Sequence, residues 1–333
     1  MPRFVACVIA ALFMGTGGGA EAKCEHVLLA ELPVEIHGHA VVAGAIDGQP
    51  ARIVIDTGAA FTSVSPGLAA RLRLGVQPYA ELRSNGVGGE SAIGWTHLDS
   101  FSVGSLTARN QNIAVTGSSA AINSIDMLLG ADFLLQKSVD LELDLPHKAV
   151  RLIRTQGCSA DEMVYWNGAY AVGPLVDQDY PGIVAEMRVN GVPLKALLDT
   201  GATTLISGQG ARKLGVVVPT SATNGAEVVH GVGRNGAYIT PVQMKEFAFN
   251  QEVIRNPVIP VGDLFQVRRE APMGSLIKQD SLNVPDMLVG IDFMLAHRIY
   301  VARSLGRLYV SYVGGPAFLT DAAKAAEARK TTP

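Results

Sequence analysis

Apolar residues fall in short runs of Val, Ile, Leu and Thr bounded by Gly, Pro, Asn and Asp, the pattern of strands joined by tight turns. Two of these runs, Ile53-Val54-Ile55 and Ala196-Leu197-Leu198, read as buried strands. Each stops on an acid: Asp56-Thr57-Gly58-Ala59 in one case, Asp199-Thr200-Gly201-Ala202 in the other. A Gly two residues after the acid turns the chain at that point. Ahead of each run stands a hairpin signal, Asp47-Gly48 or Asn190-Gly191. Behind each, the pattern predicts a short helix, Pro66 to Leu72 closed by Gly75, and Gly208 to Leu214. Gly-rich tips at residues 85–95 and Gly231 to Gly236 lie between extended runs and read as mobile hairpins. Residues 97–116 read as further strands, and Leu141 to Ile153 as a strand pair around the Pro146-His147 turn.

The same order therefore occurs twice. Leu72-Arg73-Leu74-Gly75-Val76 matches Arg212-Lys213-Leu214-Gly215-Val216, and Gly86-Val87-Gly88 matches Gly231-Val232-Gly233. Asp126-Met127-Leu128-Leu129-Gly130-Ala131-Asp132-Phe133 matches Asp286-Met287-Leu288-Val289-Gly290-Ile291-Asp292-Phe293. The acids are 143 residues apart (199 − 56) and the late glycines 160 apart (290 − 130), so the second copy carries insertions, most of them in the loop-like stretch Pro260 to Val284. A long unit present twice predicts two pseudo-symmetric lobes rather than a solenoid. With 333 residues, 36 Gly and 17 Pro, the chain is large enough for two cores and turn-rich enough to be mainly β. The expected organisation is a signal peptide over 1–22, a first lobe over 23–155, a linker over 156–166, a second lobe over 167–315 and a tail over 316–333.

Arg3, the apolar stretch Phe4 to Met14 and the small-x-small Ala20-Glu21-Ala22 give the first residues the form of a cleaved secretory leader. Its apolar stretch is too short to span a bilayer, and no later one approaches that length, so stable membrane insertion is not expected. The leader predicts a secreted, periplasmic protein. Its removal leaves Cys24 and Cys158, which an oxidising compartment could pair or leave as free thiols. A net charge of −3 with no basic stripe carries no footprint for nucleic acid.

A carboxylate at the end of a buried strand is costly unless compensated. Two such acids facing one another can share a proton, because each charge raises the pKa of the other. The ionised member can then take a proton from a water while the protonated member hydrogen-bonds an amide carbonyl. Thr57 and Thr200 are placed to support such a pair with their hydroxyls, and Gly58 and Gly201 to let backbone N–H groups approach it.

Ile55-Asp56-Thr57-Gly58-Ala59 with Leu128-Leu129-Gly130, and Leu197-Leu198-Asp199-Thr200-Gly201-Ala202 with Met287-Leu288-Val289-Gly290, resemble the retropepsin branch of the aspartic proteases. The resemblance covers roughly residues 40–135 and 183–295. It implies two β-barrel lobes with an active-site cleft between them, Asp56 and Asp199 as the catalytic dyad, and a bracing role for the apolar-apolar-Gly segments. It also implies flaps over the cleft, here Gly86, Val87, Gly88 and Gly89 from one lobe and Gly231, Val232 and Gly233 from the other. Retropepsins are homodimers of single units, whereas both units here lie on one chain, as in pepsin-like enzymes; those use one flap, and this chain has candidates for two. The reading is a fused, bacterial-type aspartic endopeptidase acting as a monomer on a peptide or protein substrate. A peptide-binding protein of the same fold without hydrolysis is the alternative.

Other signals lead elsewhere. Gly231-Val232-Gly233-Arg234-Asn235-Gly236 satisfies a dinucleotide-binding spacing, but a helix would have to open at Gly236, and the sequence there reads as extended. His37 and His39 alternate on one side of a strand, and no His, Cys or Asp cluster has metal-ligand spacing, so neither metal nor cofactor is expected. Asp132 and Asp292 read as helix N-caps.

Overall fold

A computed structural model of the protein describes residues 23–86, 89–116, 125–176, 181–218, 227–230, 236–262 and 284–318. The first half runs β1 (Glu25–Pro33), β2 (Glu35–Ile36), β3 (Ala40–Ile46), β4 (Gln49–Ile55), β5 (Ser63–Val64), α1 (Pro66–Arg71), β6 (Gln77–Gly86), β7 (Gly89–Val103), β8 (Leu106–Val115), β9 (Met127–Leu129), α2 (Ala131–Leu134), β10 (Asp140–Asp144) and β11 (Ala149–Gln156). The second runs β12 (Ala171–Pro174), β13 (Ile183–Val189), β14 (Val192–Leu198), β15 (Leu205–Ser207), α3 (Gly208–Leu214), β16 (Glu227–His230), β17 (Gly236–Gln243), β18 (Glu246–Phe249), β19 (Glu252–Arg255), β20 (Val258–Gly262), β21 (Met287–Val289), α4 (Ile291–Met294), β22 (His297–Ala302) and β23 (Arg307–Tyr312). The protein is mainly β, as the turn-rich pattern predicts.

Local chemistry explains the turns. Asp47 and Gly48 take φ of 47° and 76°, and Asn190 and Gly191 take 51° and 79°, the paired left-handed conformations of a two-residue hairpin. Ser65 caps α1 by accepting from the Leu68 N–H at 3.1 Å, and Ser207 caps α3 from Gly210 at 3.3 Å. α3 ends on left-handed Gly215, whereas α1 ends at Arg71, capped by Leu72, and the left-handed turn falls on Arg73 (φ 56°) rather than on Gly75.

In the first half β3, β4, β9, β5, β8 and β7 form a sheet that closes on itself, because β3 pairs with β7 as well as with β4. The second half repeats the order with β13, β14, β21, β15, β20 and β17. It stays open. The single strand β7 has two successors, β17 and β18, separated at Met244-Lys245, and β8 has two, β19 and β20, separated at Asn256-Pro257. Pro257 supplies no N–H for a ladder and Asn256 is left-handed, so the strand cannot continue there.

A third sheet joins the halves in the order β1-β11-β10-β22-β23-β12. It reads the same from either edge: a lone strand, then a hairpin, then the equivalent hairpin and lone strand of the other half. At its middle Leu141 faces Val301, 160 residues away (301 − 141), the same offset that separates Gly130 from Gly290. A pseudo-two-fold axis passes between them. The largest buried apolar cluster takes residues from both halves.

Residues 156–166 cross from one half to the other packed against this sheet, with Met163 buried and the Trp166 indole donating to Ser311 at 3.0 Å. Cys24 and Cys158 form a disulfide that ties the start of β1 to this crossing. Of the stretch Pro260 to Val284, residues up to Gly262 belong to β20 and residues 263–283 lie outside the described residues, as do residues 1–22 and 319–333. Among the described residues no helix is long and apolar enough to cross a membrane.

Candidate active site

β4 and β14 deliver Asp56 and Asp199 to the same place on the axis. Both strands are gripped at their last residues by a parallel neighbour, β9 pairing Leu129 with Ile55 and β21 pairing Val289 with Leu198. The hold extends into the turns: the Asp56 N–H donates to Leu129 O (3.0 Å) and the Asp199 N–H to Val289 O (2.9 Å). The alternation of each strand divides its side chains. Ile53 and Ile55 enter the main core, whereas Val54 joins Val41, Ile125 and Leu128 on the face that Asp56 continues. On the other side Leu197 joins Val184, Leu205, Ala237, Ile239 and Leu288. The two acids are thus flanked by apolar surface.

The turns after the acids interlock. Thr57 Oγ1 donates to Leu198 O at 2.8 Å and accepts from the Thr200 N–H at 3.1 Å; Thr200 Oγ1 donates to Ile55 O at 2.7 Å and accepts from the Thr57 N–H at 3.0 Å. Both threonines are fully buried. Four hydrogen bonds therefore cross from one half to the other directly beneath the acids.

Gly58 and Gly201 set how near the acids come. A Cβ on Gly58 would overlap the carboxyl carbon of Asp199, and a Cβ on Gly201 would stand 2.7 Å from that of Asp56. Each turn presses against the carboxylate of the opposite half, which only a residue without a side chain allows. Each carboxyl group acts directly on the ionisation of the other.

Their electrostatics differ. Burial raises the pKa of Asp56, against the opposing effect of N–H groups from Ala59 (2.9 Å) and Gly58 (3.1 Å). Burial and then the charge of Asp56 raise Asp199 well above the usual carboxylate range, and one N–H, from Gly201 at 2.8 Å, opposes them. Of the two, Asp199 is raised further, which favours the proton on Asp199 and the charge on Asp56. A pair in this state can accept a proton from water at one carboxylate and donate a hydrogen bond to a carbonyl at the other.

The apolar-apolar-Gly segments brace the turns from below. A Cβ on Gly130 would lie 2.5 Å from the Phe61 carbonyl carbon, and Gly290 is equally tight against Thr203. The Gly130 N–H donates to Thr62 Oγ1 (3.1 Å) and that of Gly290 to Thr204 Oγ1 (2.9 Å). Asp132 and Asp292 are not helix N-caps: Gly130 and Gly290 hold those positions. Asp132 instead accepts from the N–H and hydroxyl of Thr62, at 2.8 and 2.7 Å, and Asp292 does the same for Thr204, at 2.8 Å each. Burial raises the pKa of Asp292.

Of the flap candidates, Gly86 and Gly89 are the last paired residues of the β6–β7 hairpin. Val87, Gly88, Gly231, Val232 and Gly233 lie outside the described residues. Gly236 opens strand β17, not a helix, which removes the dinucleotide reading. His37 and His39 do not share a strand face; with Gly38 they form the turn between β2 and β3.

Asp126 and Asp286 belong to the site although only the repeat hinted at them. Asp126 accepts from the Arg52 N–H (2.8 Å) and Arg71 (2.7 Å), Asp286 from the Lys195 N–H (2.8 Å) and Lys213 (2.6 Å). Each pins the acid-bearing strand to the helix that follows it.

Comparison with known proteins places these features in context. A family profile described as aspartyl protease matches residues 42–133 and again residues 184–293, together more than half of the chain. No curated protein matches it.

Proposed function

The chain belongs to the aspartyl protease family, and from that premise we propose that it is an aspartic endopeptidase in which Asp56 and Asp199 activate a water to hydrolyse peptide bonds. The observation that carries this reading is the glycine contact of each turn with the opposite carboxylate, which brings two buried acids close enough for each to act on the other's ionisation. Asp56 is the base that accepts the proton of the attacking water. Asp199 is the acid that hydrogen-bonds the scissile carbonyl, and the water attacks directly without an acyl intermediate. Thr57, Gly58, Thr200 and Gly201 hold the pair, and the β6–β7 and β16–β17 hairpins close over the bound peptide.

One chain supplies both acids, so the enzyme acts as a monomer. The disulfide supports an oxidising compartment, and with the leader it supports secretion to the periplasm. Intact-mass measurement on secreted protein should place the mature N-terminus at Lys23; a chain still starting at Met1 would count against export.

Digestion of a peptide library at several pH values, with and without a statine-type inhibitor, tests the activity. Asp56→Asn and Asp199→Asn should each lose nearly all turnover while melting as folded proteins. Cleavage that survives either substitution, or none by the unaltered chain at any pH, would remove the proposal.

A further inference from the structure

The two acids match in sequence but not in what faces them. β3 lies on β4 with Val41 against Val54, a register that, continued two positions past the paired residues, leads from His39 towards Asp56, and the charge of His39 acts on Asp56. β13 lies on β14 with Ile183 against Leu198, so one position further on Gly182 stands opposite Asp199. Cross-strand partners at this spacing have neighbouring side chains. Along these registers one acid therefore has a histidine as its neighbour and the other a glycine.

His39 is fixed where it stands. It ends the turn His37-Gly38-His39, in which Gly38 takes φ 75° and the His37 N–H donates to His39 O at 3.0 Å. Its ring is half-buried, and its Nδ1 is wholly buried with no hydrogen-bond partner among the described residues. Among the described residues Asp56 is a charged group that faces it. His37 on the same turn is exposed and pairs with Glu35 at 3.0 Å. A positive charge on His39 favours the ionised form of Asp56. The backbone adds to the same asymmetry, since Asp56 accepts two N–H groups and Asp199 one.

We propose that His39 is a positioning residue for the pair: an imidazolium at this place makes Asp56 the proton acceptor and leaves the shared proton on Asp199. The proposal rests on reading the pair as a catalytic dyad, but its decisive measurement needs no turnover.

The mature chain labelled with carboxyl-¹³C aspartate allows each acid to be titrated by NMR once its partner is made neutral. In Asp199→Asn, adding His39→Asn should move the Asp56 titration up by about half a pH unit or more, the scale of one partly screened charge at side-chain distance. In Asp56→Asn, the same change should move Asp199 by clearly less. His39→Arg, which keeps a charge at every pH, should hold Asp56 at or below its original titration. His39→Gly, which copies the Gly182 arrangement, is read in the same way if His39→Asn does not fold. An Asp56 titration that stays put, or equal movement of both acids, overturns the proposal. Where cleavage is detectable, the acid limb of kcat/KM should also move to higher pH in His39→Asn. Absence of cleavage by the unaltered chain would instead remove the protease reading and leave the NMR result to stand alone.

Discussion

Asp199 holds its proton well above the ordinary carboxylate range because burial, and then the charge on Asp56, penalise its ionised form. In the unfolded chain the same side chain releases its proton near pH 4. Below that pH both states are protonated and the full stability is present. Above it the folded state retains a proton that the unfolded state has lost, so stability falls with rising pH until the folded group ionises, at up to about 1.4 kcal/mol per pH unit. Asp199→Asn removes that dependence. Its urea or thermal melts should vary less with pH than those of the unaltered chain, and at neutral pH it should be the more stable protein. An unchanged slope between pH 4 and 7 would show that Asp199 is not the group that keeps the proton.

Among the elements, the segments that begin with Asp126 and Asp286 do the bracing, and the two copies do not do it equally. Asp286 is only 1% exposed and Asp126 14%. Asp286→Ala strands the Lys195 N–H below the turn and releases Lys213, a loss of about 2–3 kcal/mol. Asp126→Ala should cost about 1 kcal/mol, because its more exposed partners can turn to water. Thermal melts check the ranking; a milder effect at Asp286 than at Asp126 would contradict it.

The same segments show what could be read in advance. The strand ends, hairpins and doubled Asp-Thr-Gly were legible because each is written in contiguous residues whose chemistry allows few alternatives. Asp132 and Asp292 were misread because a helix cap and a brace on a distant Thr62 or Thr204 look alike without the turn that brings the threonine near. His39 meant nothing in the sequence. Its relation to Asp56 exists only through the register of β3 on β4, and a one-residue slip would have pointed it elsewhere. The break of β8 into β19 and β20 in the second copy was visible after the fact in Asn256-Pro257, but strand patterning does not say which half of a repeat will close.

For the molecule as a whole, the shared sheet decides how the halves meet, and nothing in the local pattern announced it. At its centre Glu142 is fully buried and pairs with Arg151 of its own half (2.9 Å) and Arg298 of the other (2.6 Å), with Tyr165 from the crossing segment hydrogen-bonded to it. Burial and Glu142 push the Tyr165 phenol up to about 12. The Arg298 guanidinium lies 4.1 Å from the centre of the Trp166 ring, so the crossing segment is held by a cation as well as by the disulfide. Glu142→Ala should cost about 3 kcal/mol, because it leaves two guanidinium groups facing a carboxylate that is gone. A melt within about 1 kcal/mol of the unaltered protein would mean that the network is solvated after all.

Three strands from each half lie in that one sheet, and both acids descend from a single continuous chain. Assembly of the pair is therefore unimolecular, and no encounter between subunits precedes it. Diluted from micromolar to nanomolar, each molecule should go on turning over at the same rate, where a dimer built from two such lobes would fall apart and fade; specific activity that dropped with concentration would mean a second copy is needed.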